Sequence, residues 1–341
     1  MIRTAVIGAG HWGPNLITNF HTSSRSLVAR VVDRDRARLE IASERFPGIA
    51  FGTEADDVFR DPDIDAVVIA TPTSTHFELA QKALEAGKHV LVEKPLADSA
   101  ERCVVLCEIA ERVNRTLMVG HVFVYNDAAQ KVKEYIRAGA LGRVYYISMV
   151  RTNLGPIRVD VDAAWDLAAH DISLASHWLD AWPLSVSATG GAWINEGIAD
   201  TVFATLRFPG EVLVNLHASW LNPRKARDIT VVGESKMLTF DDVDHSEPLR
   251  IYDKQITEER TRATFVDSFS AFRTISREGD IQIPHVSMGQ PLKNECEHFL
   301  DCVINGEKPR SGGAEGLAVV KTLEAISASR EAGGSLVEVG L

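Results

Sequence analysis

TAVIGAGHWG, residues 4–13, carries an apolar, β-rich run straight into three glycines spaced G-x-G-x-x-G. That spacing is common on its own. It gains meaning here from following a strand pattern and opening a helical one, GPNLITNFH. Gly8 permits the tight turn, Gly10 lets the backbone approach a pyrophosphate, and Gly13 allows the helix to pack closely on the strand. The helix N-terminus then supplies amide donors for phosphate. Twenty residues beyond Gly13, Asp33 closes the second strand pattern, where a carboxylate accepts hydrogen bonds from an adenosine ribose. Its charge repels a 2′-phosphate, so NAD is expected over NADP. Arg34 works the other way, because a guanidinium can stack on adenine or accommodate that phosphate. His11 and Trp12 are read as loop residues packing over the cofactor.

Around this loop, TAVIGAG, LVARVVD, DAVVIAT, HVLVEKP and TLMVGH alternate with helical patterns such as DRARLEIASERF and HFELAQKALEAG. Repeated βαβ units predict a parallel, doubly wound sheet over residues 1–121, an N-terminal Rossmann dinucleotide-binding domain. From Val122 the texture changes. A helix, NDAAQKVKEYIRAGALG, precedes consecutive strand patterns, VYYISMVRTNL, LSVSATGGAWI, DTVFATLRF, EVLVNLHASWL and RDITVVGES. Residues 122–341 are therefore expected to form a second α/β domain with a large, mostly antiparallel open sheet. DDVDHSEPLRIYDKQITEERTRATFVDSF is polar and weakly periodic, an excursion at the sheet's end. Two closing helices, PLKNECEHFLDCVINGE and GAEGLAVVKTLEAISASREAGG, are placed to pack back on the first domain.

Composition narrows the partners. The 341 residues exceed what one core usually fills, and 45% apolar with 24% charged residues is ordinary for a globular chain. No stretch reaches the roughly 18 apolar residues of a membrane span, and MIRTAVIG lacks the charged leader of a signal peptide, so a cytoplasmic location is the expectation. Thirty-six basic against 47 acidic residues, a formal charge of −11, speak against nucleic acid or an anionic membrane. Four cysteines are too few for a disulfide framework, and His121, His170, His177 and His217 lack the spacing of a zinc motif, so no metal is assigned.

Ligands of open α/β sheets lie beyond the carboxyl ends of the strands, and ATPTSTH (70–76) and VEKPL (92–96) both leave strands there. Thr71, Pro72 and His76 of the first segment, with Glu93 and Lys94 of the second, are the expected contacts to the nicotinamide half. Pro95 bars helix at Lys94 and keeps it extended, aimed from the strand's end. WDLAAHD (165–171) adds two carboxylates and an imidazole in an otherwise apolar stretch. Asp166 and His170, four apart, share a face if the segment is helical. Asp171 points elsewhere and is assigned to the helix N-terminus. Trp165 is read as packing.

GAGHWG, Asp33, ATPTSTH, EKP at 93–95 and GHVFVYN at 120–126 together resemble the glucose-fructose oxidoreductase and inositol dehydrogenase (Gfo/Idh/MocA) family. RTNLG (151–155), DVDAAWDLAAHDIS (160–173), SEPLRIYDK (246–254) and PLKNECEHFLDCV (291–303) are similar to its branch that oxidises C3 of nucleotide sugars, the UDP-N-acetylglucosaminuronate 3-dehydrogenases. The resemblance spans the whole chain and implies Lys94, Asp166 and His170 as catalytic residues, and a homo-dimer or homo-tetramer joined through the C-terminal sheet. Ala169 departs from the proline often found there.

The expected activity is hydride transfer between NAD and a ring secondary alcohol or ketone of a sugar, the substrate being a nucleotide sugar or else an aminoglycoside, other glycoside or cyclitol. His170 is assigned as base, since imidazole titrates near neutrality, and Lys94 as electrostatic and proton-relay partner. Asp166 would orient the imidazole or hold a substrate hydroxyl. Tyr125, Arg151 and Asn153 are expected near substrate, Arg151 for a diphosphate or carboxylate. The reading from another class, a non-catalytic dinucleotide-binding sensor, has no need of Lys94, Asp166 and His170 together.

Overall fold

The computed structural model describes residues 1–256, 276–277, 279–287 and 289–340. It divides into two compact units, Met1–Asn126 with Gly289–Glu324, and Asp127–Met288 with Ala325–Leu341.

In the first unit, β1 (Ile2–Ile7), β2 (Ser26–Val32), β3 (Ala50–Gly52), β4 (Ala66–Ile69), β5 (His89–Glu93) and β6 (Leu117–Gly120) form a sheet of order β3-β2-β1-β4-β5-β6. Every pairing is parallel. Such strands are covered on both faces, which is why β4 reads Ala-Val-Val-Ile without alternation and all four side chains are buried. Helices α1 (Gly13–Thr22), α2 (Arg36–Arg45), α3 (Asp56–Arg60), α4 (His76–Glu85) and α5 (Ala100–Arg112) make the crossovers. Helix α4 buries His76, Ala80, Ala83 and Leu84, the i, i+4, i+7, i+8 stripe of an amphipathic helix. Ser99 starts α5 by accepting the Arg102 amide. The strand order reverses between β1 and β4, so the glycine loop leaving β1 and the loop leaving β4 open at the switch point.

The second unit begins with α6 (Asp127–Arg137) and β7 (Val144–Leu154), followed by a π-turn at Ala164–Ala168 that runs into α7 (Ala169–Leu179). The strands β8 (Ser185–Gly191), β9 (Thr201–Arg207), β10 (Leu213–Ser219), β11 (Leu221–Gly233), β12 (Met237–Asp241), β13 (Leu249–Tyr252), β14 (Ile281–Gln282) and β15 (Val337–Glu338) follow. With β7 they build a nine-stranded sheet of order β14-β13-β12-β11-β7-β10-β9-β8-β15. The pairing of β10 with β7 is parallel and the others are antiparallel, the mostly antiparallel sheet expected. Its inner face buries Val202, Ala204, Leu206, Val214 and Leu216. Helix α7 covers that face with Trp178, which lies edge-on to Phe240 at 6.2 Å and donates its indole N–H to Ala129 O.

Helix α8 (Pro291–Asn305) belongs to the first unit, and α9 (Gly313–Glu331) passes from the first unit into the second at residue 324. The expected boundary at 121 thus falls five residues before the observed one, because the turn after β6, Val122–Tyr125, packs into the first unit's core against α8. The polar excursion is described as far as Ile256. Its start is a β12–β13 hairpin whose turn is tied by the Asp244 carboxylate, and its remainder lies outside the described residues.

Candidate active site

The glycine loop is shaped by close approaches. Gly8 has φ +105°, and a Cβ there would sit 2.5 Å from Ala70 O; a Cβ on Gly13 would sit 2.1 Å from Gly8 O. Neither position admits a side chain. Asp33 holds the loop from the next strand: its Oδ2 accepts the Ala9 amide at 2.7 Å and its Oδ1 the Asp35 amide at 2.9 Å. Helix α1 starts with no side-chain cap and no acid in its first turn, so its N-terminal amides and positive dipole end are left to an anion. A cavity of 310 Å³ opens beside Gly10 and His11, walled by Arg38, Arg45 and Phe46. The residues fit a dinucleotide. Arg34 is exposed; the guanidinium that reaches the loop is that of Arg38, 3.9 Å from Asp33 Oδ2 and 3.2 Å from where a Gly10 Cβ would stand.

At the strand ends, His76 is buried with its ring nitrogens 2.8 Å from Pro95 O and 2.9 Å from Thr71 O. This corrects its assignment as a cofactor contact. The imidazole is a strut between the two loops, while Thr71, half-buried, and Pro72, exposed, stay at the rim. Lys94 is half-buried and its amide donates to Glu93 Oε2 at 3.3 Å; the Lys94–Pro95 peptide is cis. Glu93 pairs in register with Gly120, where an added Cβ would meet its carboxyl carbon at 3.0 Å, so the carboxyl leans across a position that has to be glycine. Burial pushes Glu93 up to about 7, against the pull of the Lys94 charge, the Lys94 amide and a hydrogen bond from Trp12.

Two groups beside this pair escaped the sequence reading. His121 is buried, neither ring nitrogen has a hydrogen-bond partner among the described residues, and desolvation, then the Lys94 charge, lowers its pKa to about 3. It is a neutral imidazole. Glu295 of α8 is fully buried with both carboxylate oxygens unpartnered among the described residues. Desolvation, then repulsion from Glu93, holds it well above the usual carboxylate range. Two buried carboxyls that repel each other do not both ionise. Glu93 has the cation and the donors, so the proton stays on Glu295. The signal was present: Glu295 stands on the same stripe of PLKNECEHFLDCV as Phe299 and Cys302, where an apolar residue is expected. Tyr125 corrects another expectation. It is a core residue, 1% exposed, hydrogen-bonded to Ser311 Oγ at 2.8 Å.

In the second unit the Asp166 carboxylate is gripped from both sides, Oδ1 by Arg158 Nη1 at 3.1 Å and Oδ2 by Trp220 Nε1 at 3.2 Å. Arg158 also forks onto Asp160, which its charge and hydrogen bonds hold below the usual carboxylate range. His170 follows in the first turn of α7, half-buried. Ala169 is buried in regular helix, so the missing proline leaves the turn intact. Trp165 donates to Ser327 Oγ at 3.2 Å in a packing role. Asp171 does not serve the helix N-terminus: it is buried and paired with Arg151, Nε and Nη2 lying 2.8 and 2.7 Å from Oδ1. Arg151, expected at substrate, is accordingly a buried partner on β7. Asn153 is likewise engaged within the fold, donating to Gly155 O and accepting from the Arg227 guanidinium.

A glycine loop at the switch point of a parallel sheet, an acid at the ribose position and a lysine at the end of β5 define an NAD-binding oxidoreductase. Two family models match, "Oxidoreductase family, NAD-binding Rossmann fold" over residues 2–121 and "GFO/IDH/MocA C-terminal domain" over residues 129–239. Over 260 residues the chain is 31% identical to UDP-N-acetylglucosamine 3-dehydrogenase of Acidithiobacillus ferrooxidans, covering 74% of this chain and 77% of that one. It is 28% identical to scyllo-inositol 2-dehydrogenase (NAD(+)) of Bacillus subtilis, covering 90% and 88%. A solved structure of the Acidithiobacillus enzyme superposes with a TM-score of 0.82 at 26% identity, over 97% of this chain and 98% of that one. The chain belongs to the Gfo/Idh/MocA family of NAD-binding sugar and cyclitol dehydrogenases. That membership, with named dehydrogenases as relatives, replaces the sensor alternative. Among the described residues no helix is long and apolar enough to cross a membrane.

Proposed function

We propose that this dehydrogenase transfers hydride between NAD and C3 of a nucleotide sugar. The observation that carries the reading is the 31% identity to a UDP-N-acetylglucosamine 3-dehydrogenase over three quarters of both chains. Bound NAD supplies the hydride acceptor. In the oxidation, the carbinol C–H pair leaves as hydride while the O–H proton passes to His170, and the carbonyl forms from the oxygen's freed pair. Lys94, cationic, stabilises the developing alkoxide. Asp166, fixed by Arg158 and Trp220, holds a substrate hydroxyl or orients the imidazole. The same groups serve the reverse reduction.

The oligomer belongs to the same proposal. Tyr146, Leu213 and Phe203 stand exposed on the outer face of the nine-stranded sheet, in register Tyr146↔Leu213 and His217↔Phe203, with the last two rings stacked at 4.4 Å. A two-fold partner on that face would cover them. Sedimentation of the unmodified chain and of a variant charged at Phe203 tests this. A monomeric unmodified chain would rule it out.

The deciding experiment is a substrate panel of nucleotide sugars, free polyols and cyclitols, and aminoglycosides, following NADH. Turnover of UDP-linked amino sugars above the rest is the expected result. Turnover of inositols alone would move the substrate to the cyclitol class, a reading supported by the 28% identity to the scyllo-inositol enzyme.

A further inference from the structure

Trp193 and Ile194 are 67% and 58% exposed at the tip of the turn between β8 and β9, yet their backbone is locked. Oδ2 of Asp200 accepts both their amides, at 2.5 and 3.0 Å, and Asp200 is itself fully buried. The Asp200 amide donates to Gly191 O, its carbonyl accepts the Trp220 amide, and a bridge between Asn195 and Ile198 closes the turn around Gly197 at φ +81°. The indole lies on the Gly191 backbone: a Cβ there would fall 2.5 Å from Cζ2 and Cη2. The benzo part of the ring therefore packs on a position that leaves no room for a side chain, while the residue is largely open to solvent. An indole recruited for packing would turn inward; this one is held out on a rigid mount.

The mount connects to the acid–base residues. Trp220, whose amide is tied to Asp200, is the residue whose indole N–H grips Asp166. Directly after it β11 bulges: its register on β7 jumps from Leu221 to Ala226, and the extruded residues include exposed Arg224, paired with Asp228 at 3.1 Å, and exposed Lys225. An aromatic platform and a doubly basic bulge thus both spring from the Asp200–Trp220 pair behind Asp166.

We propose that Trp193 is a stacking platform for the nucleobase of the substrate, with Arg224 and Lys225 facing its diphosphate. The inference rests on the nucleotide-sugar reading and adds the subsite that selects for the nucleotide. A planar base stacks on an indole irrespective of its hydrogen-bonding edge, and the two cations match the charges between base and sugar.

The test uses UDP as probe and competitive inhibitor, with W193A, W193F and R224A/K225A. In W193A the inhibition constant for UDP and the KM for the nucleotide sugar rise about tenfold, as for the loss of one stacked base, while NAD affinity and sedimentation coefficient stay put. W193F restores most of the affinity. R224A/K225A weakens UDP and leaves uridine unaffected. A UDP inhibition constant unchanged in W193A overturns the proposal, and so does a change in sedimentation, which would make Trp193 a subunit contact. If the unmodified chain turns over no nucleotide sugar, the proposed function falls and this subsite with it; if it does and W193A matches it, the subsite alone falls.

Discussion

The indole N–H of Trp220 donates to Oδ2 of Asp166 at 3.2 Å, from a side chain that is itself fully buried. Arg158, half-buried, holds the other oxygen, and the fully buried Trp220 is the more fixed side of the grip. Trp220→Phe keeps most of the packing and removes the donor. Turnover should fall about tenfold or more with NAD affinity unchanged, since the lost bond is to a charged acceptor worth about 1.5–3 kcal/mol. Steady-state rates beside NAD titration check it, and unaltered turnover would make the contact structural.

Lys94→Ala and His170→Ala should each lower turnover by roughly a hundredfold or more, the ordinary loss for a missing acid–base group, with little effect on NAD binding. Near-normal rates in His170→Ala would hand the base role to Lys94. Loss of NAD binding in both would identify a structural cluster instead.

Asp33 anchors the Ala9 amide, and we propose that it also accepts from the adenosine ribose. Asp33→Asn keeps an oxygen acceptor for that amide and removes the charge. The ratio of NADP to NAD dissociation constants should drop about tenfold or more, through weaker NAD binding and relief of 2′-phosphate repulsion. Asp33→Ala should weaken both cofactors, because the glycine loop loses its tether. Fluorescence titration of the reduced cofactors distinguishes the two outcomes.

Glu295→Gln should stabilise the protein at alkaline pH. The folded-state pKa of Glu295 is raised above its unfolded value, so folding takes up a proton above that unfolded value. The stability it permits is complete below about pH 4.5 and is lost as pH rises toward the folded pKa. Glutamine keeps the shape without the proton. Thermal melts at pH 5 and pH 8 should show the variant's advantage growing with pH. A variant less stable than the parent at pH 8 would place an ionised, paired carboxylate at this position.

Arg151→Met or Asp171→Leu alone should cost about 3–5 kcal/mol of stability by stranding a buried charge, while the double variant should recover most of the loss. Urea denaturation gives the coupling. Two single variants with normal stability and a raised KM would return Arg151 to the substrate.

The parallel sheet was legible because its strands are continuous apolar runs and its glycine loop has a fixed offset to Asp33. The second sheet was legible from consecutive β-rich runs joined by short polar links, such as VYYISMVRTNL, which is β7 to the residue. Less legible were partners far apart in sequence. Asp171 meets Arg151 across twenty residues, and Trp220 reaches Asp166 across fifty-four. Tyr125 and Arg151 have the chemistry of ligand contacts, but only three-dimensional burial shows it already used within the fold. Asn153 stands near the end of β7, and its side chain is engaged by Gly155 O and the Arg227 guanidinium. Glu295 was hidden differently: it stands where pattern reading expects a hydrophobe and was absorbed into the stripe.

His76 is buried with its ring nitrogens 2.8 Å from Pro95 O and 2.9 Å from Thr71 O, a neutral ring donating to one of the two, so it sits packed between the loops leaving β4 and β5. Parting them would strand a buried imidazole and the carbonyl it donates to. The glycine loop is tied to these loops through Trp12, more than a third exposed, whose indole bonds to Glu93. Opening for cofactor exchange therefore has an easy side and a stiff side. The easy side is a latch whose strength follows the protonation of Glu93, so NAD should leave faster as that carboxyl becomes neutral, on the acid side of about pH 7.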